Sequence, residues 1–202
     1  LKTQFTQQQL TLIEADALTL DWKKVAGNER LRVVGNLPYN ISSPLLFHLM
    51  EAADVVIDQH FMLQREVVDR MTAEPGTKTY GRLSVMLQWR YKMHKLFDVP
   101  PGAFTPAPKV VSSVVRMIPK KPEDVPAVDF ALFSSVVANA FAQRRKTLRN
   151  ALSVLMSEDD IKAAGVNPQE RAEKLPLEAF VALTKKAEAL GVKPYIPGGI
   201  ND

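Results

Sequence analysis

Between Leu31 and Met50 the chain changes its hydrophobic pattern twice. Leu31-Arg32-Val33-Val34 is a short β-branched run without a turn former, which predicts a buried strand. Gly35-Asn36-Leu37-Pro38-Tyr39 breaks it. A helix comes next, with Ser43 expected as N-cap and Pro44 at its first position. Upstream, Leu12 to Leu18 predicts a short strand ending in an acidic residue. Trp22 and Val25 then lead through a Gly27-Asn28 turn into the central strand. Downstream, residues 55–63 predict another strand. A helix over 65–73 is apolar at Val67, Val68 and Met71 and is ended by Glu74-Pro75-Gly76. After a Tyr80-Gly81 corner, 82–90 predicts a helix with Leu83, Val85, Met86 and Trp89 on its apolar side. Strands are expected over 92–99 and 110–118, joined by a proline-rich loop holding Phe104.

The pattern then changes character. Pro119-Lys120-Lys121-Pro122-Glu123-Asp124-Val125-Pro126 reads as a linker. Everything beyond it has helical spacing. Asp129 caps a helix with an apolar stripe at Phe130, Phe133, Val136, Val137, Ala140 and Phe141. Ser157 caps a short helix ending at Gly165, Asn167-Pro168 opens another around Arg171-Ala172-Glu173, and Leu177 to Leu190 forms the last, closed by Gly191. The tail from Val192 is expected to be loose. Residues 1–120 thus predict an α/β unit with a mostly parallel sheet and an antiparallel edge strand, and 121–202 a small all-helical unit.

Composition narrows the chemistry. The 202 residues are 46% hydrophobic and 24% charged, ordinary for a globular chain. Cysteine is absent, which excludes disulfides, thiolate catalysis and cysteine-ligated metals. Three histidines without ligand spacing make a metal site unexpected; His60, within an apolar strand, reads as a satisfied core residue. No apolar run is long enough for a membrane span and no signal peptide is visible, so a cytoplasmic monomer without membrane contact is expected. The net charge of +4 permits a polyanionic partner. Its position says more: Gln143 to Asn150 carries four cations in six residues with no acid nearby. That suits a phosphate backbone better than a solvated helix face.

Asn36-Leu37-Pro38-Tyr39 is the candidate reactive stretch. In open α/β sheets, ligands bind beyond the carboxyl ends of strands. Pro38 stiffens the loop and offers no N–H, freeing the Leu37 carbonyl to point into a cavity. The Asn36 side-chain oxygen is a second acceptor. Two acceptors and an aromatic face can hold an exocyclic amine, adenine N6 or cytosine N4, as a nucleophile. The plainer reading is a proline turn with nothing bound. Asp16, at the end of its strand, is either an acceptor for an adenine amine or ribose hydroxyl, or simply a solvated turn residue. Phe104 is either a core plug or a second stacking face for a flipped base.

Five blocks in order, GNLPYNISSPLLFHL, FMLQREVVDRM, YGRLSVMLQW, FTPAPKVVSSVVR and AFAQRRKTLRNAL, resemble the KsgA (RsmA) family of ribosomal RNA adenine dimethyltransferases. The likeness extends to NPQERAEKLPLEAF near the end. It implies a Rossmann-like S-adenosylmethionine-dependent fold and transfer of two methyl groups to N6 of each of two adjacent adenosines. These lie in a hairpin loop near the 3′ end of small-subunit ribosomal RNA, within an assembling small subunit. By the same resemblance, Asn36, Leu37, Pro38 and Tyr39 match the catalytic tetrapeptide and Phe104 the aromatic that helps hold the base. Asp16 and Ala17 match the contact with the cofactor's adenine, and Asn36 also lies near its methyl group. Arg144, Arg145 and Lys146 match the RNA-contacting region, with Lys109 and Arg149 beside them.

One departure bears on activity. The family's glycine-rich cofactor loop and the acidic end of its second strand are absent, and they are expected upstream of Leu1 in a longer native protein. Residues 1–202 alone should bind S-adenosylmethionine poorly, with inactivity the expected consequence. Two rival readings are a large-subunit methyltransferase of the macrolide-resistance type and a non-catalytic RNA-binding assembly factor. A DNA adenine methyltransferase fits less well, because those carry Asp or Asn before Pro-Pro-Tyr.

Overall fold

A computed structural model describes residues 3–198. The elements are α1 (Trp22–Ala26), β1 (Leu31–Asn36), α2 (Ser42–Met50), β2 (Val56–Gln64), α3 (Arg65–Met71), α4 (Arg82–Arg90), β3 (Tyr91–Val99) and β4 (Ser112–Pro119). Beyond β4 the regular elements are all helical, with α5 (Phe130–Phe141), α6 (Leu148–Ala151), α7 (Glu158–Ala163) and α8 (Leu177–Ala189). No helix among the described residues is long and apolar enough to cross a membrane.

The sheet has the order β1-β2-β4-β3. β1 and β2 are parallel, whereas β4 is antiparallel to both its neighbours. The expected antiparallel strand is therefore present, but it is inserted between β2 and β3 and is not at the edge. β4 is the more apolar of the last two strands, with Val115 and Met117 fully buried, while β3 exposes Leu96 and Phe97. Burial of the apolar strand decides which one takes the inner place.

Leu12 to Leu18 is not a strand. Asp16 Oδ1 instead accepts the Leu18 N–H at 2.9 Å and the Asp16 carbonyl accepts the Thr19 N–H. A local side-chain turn of this kind competes with ladder pairing. The helix expected to be capped by Ser43 begins two residues earlier, at Ser42 with Ile41 in the cap position, because a 3-10 turn over Tyr39–Ile41 leads directly into it. Asn167-Pro168 opens only a 3-10 turn at Ala172–Lys174. The tail is tied down at Tyr195, whose N–H donates to Ser135 Oγ at 2.7 Å and whose carbonyl accepts from Asn139 Nδ2 at 2.7 Å; residues 199–202 of that tail lie outside the described residues. Gly191, at φ 70°, ends α8 as expected.

Two apolar clusters fill the interior. One joins α2, α3 and part of α4 to the sheet through Leu46, Leu49, Phe61, Val68, Leu87 and Val115. The other joins α5, α7 and α8 through Phe133, Val137, Leu148, Ile161 and Phe180, and reaches back to Tyr80, Val85 and Met86. α4 thus serves both, Leu83 and Leu87 facing one cluster and Val85 and Met86 the other. The opposite side of the sheet carries cross-strand rows, among them Val34-His60-Arg116-His94 and Asn36-Met62-Val114-Phe97. Val34 is 72% exposed there.

On that side Asp58, 2% exposed, accepts from Arg32 Nε at 2.8 Å and lies 3.7 Å from Arg116 Nη2. It binds β1, β2 and β4 into one unit. Asp58→Ala should lower stability by about 2 kcal/mol, read as a urea midpoint, because two guanidinium groups lose their shared buried acceptor. In the helical part, Ser157 and Asp160 form a reciprocal cap: Ser157 Oγ donates at 2.7 Å and its N–H at 3.0 Å. Those bonds hold the Asp160 carboxyl below its ordinary value. A depressed folded-state value gives stability that is present above the unfolded value and is lost on acidification. Ser157→Ala should therefore lower the midpoint at neutral pH and flatten its decline below about pH 4.

Candidate active site

β1 ends where its ladder ends. The Leu37 N–H donates to Met62 O at 3.1 Å, and Pro38, at φ −58° and ψ 140°, then turns the chain away from the sheet. Nothing among the described residues donates to the Leu37 carbonyl, and the Asn36 side-chain amide has no hydrogen-bond partner among them. Gly35 permits the turn: a Cβ there would stand 3.3 Å from Leu37 Cδ2. Ser42 Oγ donates to Tyr39 O at 3.1 Å and fixes the turn from the far side. Tyr39 is left 74% exposed.

Asn36, Leu37, Tyr39 and Ser42 all line one cavity of about 260 Å³. Asn36, Leu37 and Tyr39 form one wall, and Phe104, Pro106 and Pro108 of the proline loop form the facing one. Phe104 is half-buried. It is therefore neither a core plug nor a free surface ring. Its N–H donates to Pro101 O at 3.1 Å across a 3-10 turn.

The feet of the proline loop are clamped. Ser113 Oγ donates to Asp98 Oδ1 at 2.5 Å, Lys95 Nζ lies 3.0 Å from the same oxygen, and Arg65 lies 3.9 Å from the other. The Ser113 hydroxyl first, then Lys95, hold the Asp98 carboxyl below its ordinary range. The Arg65 N–H also donates to Val111 O at 2.9 Å, joining the start of α3 to the end of the loop. Gln64 and Val67, at that junction, line the cavity together with Ser42, Leu63 and Ser112. Sequence reasoning missed these. The available signal was the carboxyl end of β2, one strand along from the Asn36 loop.

The remaining expected residues lie elsewhere. Asp16 is exposed and Ala17 half-buried, and neither lines this cavity. One Asp16 oxygen is used by Leu18 and the other takes no hydrogen bond among the described residues. Lys109 is exposed on the proline loop. In the cationic segment after α5, Arg145 and Lys146 are exposed with no side-chain partner among the described residues. Arg149 lies 3.4 Å from Glu158, and Arg144 donates to the backbone of the turn before α4.

The same sequence and fold recur in known proteins. The family model for ribosomal RNA adenine dimethylase matches residues 1–188. The chain is 56% identical over 192 residues to a ribosomal RNA small subunit methyltransferase A from Bordetella avium, covering 95% of this chain and 72% of the relative. It is 58% identical over 186 residues to the protein of that name from Bordetella petrii, covering 92% and 70%. Among solved structures, a dimethyladenosine transferase from Plasmodium falciparum matches with a TM-score of 0.69 at 26% identity, over 81% of this chain and 70% of that one. The 23S rRNA methyltransferase ErmE has the same fold, with a TM-score of 0.65 at 22% identity over 87% and 71%. An uncommitted Asn amide and carbonyl at the end of a parallel strand, facing an aromatic loop, stand within a match that spans both parts of the molecule, and the chain belongs to the ribosomal RNA adenine dimethylase family.

Proposed function

We propose that this chain carries the base-binding part of an enzyme that dimethylates N6 of two adjacent adenosines in the 3′-terminal hairpin loop of small-subunit ribosomal RNA, in an assembling small subunit. The observation that carries the reading is the cavity itself. Asn36 and Leu37, whose amide oxygen and carbonyl have no partners among the described residues, line the same cavity as Tyr39 and Phe104.

Adenine N6 is a poor nucleophile because its lone pair is delocalised into the ring. Accepting its two hydrogens at Asn36 and Leu37 favours a more tetrahedral nitrogen and aims the lone pair. Tyr39 and Phe104 hold the ring plane, so much of the rate comes from orientation. Among the described residues, no carboxylate or histidine lines the cavity. The proton therefore leaves to solvent after transfer. A once-methylated amine has one hydrogen left to donate, so the second transfer leans more heavily on stacking.

S-adenosylmethionine, when bound, supplies a methyl group already activated by a sulfonium centre. The residues present fit it in part. Asp16 offers an uncommitted carboxylate oxygen that would take an adenine amine, Ala17 lies next to it in the chain, and Asn36 would lie near the methyl group. Residues 1–120 form the catalytic unit and 121–202 the RNA-binding unit, with Lys109, Arg145, Lys146 and Arg149 supplying the cationic surface, while the Arg144 guanidinium is engaged by backbone carbonyls. Small-subunit specificity is supported by the two Bordetella relatives, which carry that name at over half identity. The macrolide-resistance reading has only a shared fold in its favour. The uncommitted acceptors favour an enzyme over an assembly factor that kept the fold.

Asn36→Ala should reduce methyl transfer by about a hundredfold or more while hairpin binding stays within about threefold, measured by methyl incorporation and RNA anisotropy. Phe104→Ala should cost about tenfold and raise the ratio of mono- to dimethyladenosine, read by mass spectrometry of digested RNA. Equal losses of binding in both variants would overturn the assignment. Arg145→Glu with Lys146→Glu should weaken hairpin binding by about tenfold or more and lower the salt dependence by about 0.9 per phosphate contact removed.

A further inference from the structure

The turn joining α3 to α4, residues 74–81, is gripped from the helical part of the chain at three points. The Gly76 N–H donates to Glu173 O at 2.6 Å. The Tyr80 hydroxyl donates to Leu175 O at 2.6 Å from a residue that is 1% exposed and packs edge-on against Phe141. Arg144 closes the third: Nη1 and Nη2 donate to Lys78 O at 3.2 and 3.3 Å, and Nη2 donates to Tyr80 O at 2.8 Å.

The same turn leads to the cavity. Behind it, Gln88 Nε2 donates to Met71 O at 3.0 Å and to Ala73 O at 2.9 Å, and Ser84 Oγ donates to Arg70 O. The carboxyl end of α3 is therefore held by α4. Its amino end, Gln64 to Val67, walls the base cavity. α3 is a single seven-residue helix, so a displacement of its tail reaches its head without a flexible joint.

A guanidinium is a planar fork of fixed donors and can span two carbonyls, whereas an ammonium is a point charge that cannot hold that geometry. Arg144 turns its fork inward on the protein. Arg145 and Lys146, next in the chain, have no side-chain partner among the described residues.

We infer that Arg144 is a positioning residue for methyl transfer, a brace that ties the turn 74–81 to the RNA-docking segment. It is not one of that segment's phosphate ligands. RNA seated on Arg145 and Lys146 thereby fixes α3 and the cavity wall through Arg144. The kinetic part of this inference rests on the methyl-transfer reading above; the structural part does not.

Charge and geometry separate in Arg144→Lys, which keeps the cation and removes the fork. The expected result is hairpin affinity within about threefold of the parent and an unchanged salt slope, with kcat at saturating RNA lowered about tenfold and KM little changed. Amide exchange should quicken in residues 74–81 and in the first turn of α3. Arg144→Gln should match Arg144→Lys in all five readouts. Tyr80→Phe, which removes a second grip without touching charge, should also lower kcat and leave the slope alone. Arg145→Gln should instead weaken hairpin affinity and lower the slope by about 0.9, with amide exchange in residues 74–81 unchanged.

Parent-like kcat and exchange in Arg144→Lys would overturn the inference. A slope reduced by a full phosphate contact in Arg144→Gln would do so too. If the parent protein neither binds nor methylates the hairpin, the functional reading fails. The exchange comparison still decides the brace.

Discussion

The Leu37 N–H, donating to Met62 O, takes the last rung of the parallel ladder and fixes where the chain departs from the sheet. The next residue is proline, which has no N–H to extend the ladder. The chain must leave there, and it does so with the Leu37 carbonyl and the Asn36 amide both uncommitted. In a protein interior such groups are normally paired, because an orphaned acceptor costs one to several kcal/mol, on the order of a whole hydrogen bond. Here the facing wall is an open cavity. Both residues line that cavity, where solvent can reach such groups. The proline loop, clamped at Asp98 and Ser113, keeps Phe104 across that gap with no need for contact with Tyr39.

The proline turn at Asn36-Leu37-Pro38-Tyr39, the helices α3, α4, α5 and α8, and the four strands of the sheet were legible in the sequence because each rests on local pattern. β-branched runs, capping residues and a terminal glycine act within a few positions. The features that were not legible depended on partners distant in the chain. β4 was readable as a strand, but its place between β2 and β3 comes from comparative burial, which no single segment encodes. Leu12 to Leu18 has a strand's composition, yet Asp16 turns back on Leu18. Ser43 looks like a cap, but the 3-10 turn from Tyr39 starts the helix two residues sooner. In the site, Gln64, Val67 and Ser112 carry no motif; they matter only because the sheet order brings the ends of β2 and β4 beside Asn36.

The positive charge is distributed by function more than its net value suggests. Arg32 and Arg116 are engaged by Asp58, Lys95 by Asp69 and Asp98, and Arg149 faces Glu158. Arg144 is engaged by carbonyls. The exposed cations of the proline loop and of the segment after α5 that have no side-chain partner among the described residues are a smaller set: Lys109, and Arg145 and Lys146. A count of basic residues along the chain could not have made this division, since it depends on which cations find an internal acceptor.

The insertion of β4 has a consequence for how the molecule is made. β2 emerges from the ribosome long before the strand that will cover its second edge, and β3 emerges with no neighbour at all until β4 is synthesised. During synthesis the growing protein therefore presents two unzipped strand edges, one of them bearing Leu96 and Phe97. Such edges template pairing with other chains. The clamp between Asp98 and Ser113 sits at the point where β3 meets β4, which makes that hairpin the natural first partner and leaves β2 to be captured as the hairpin swings in as a unit.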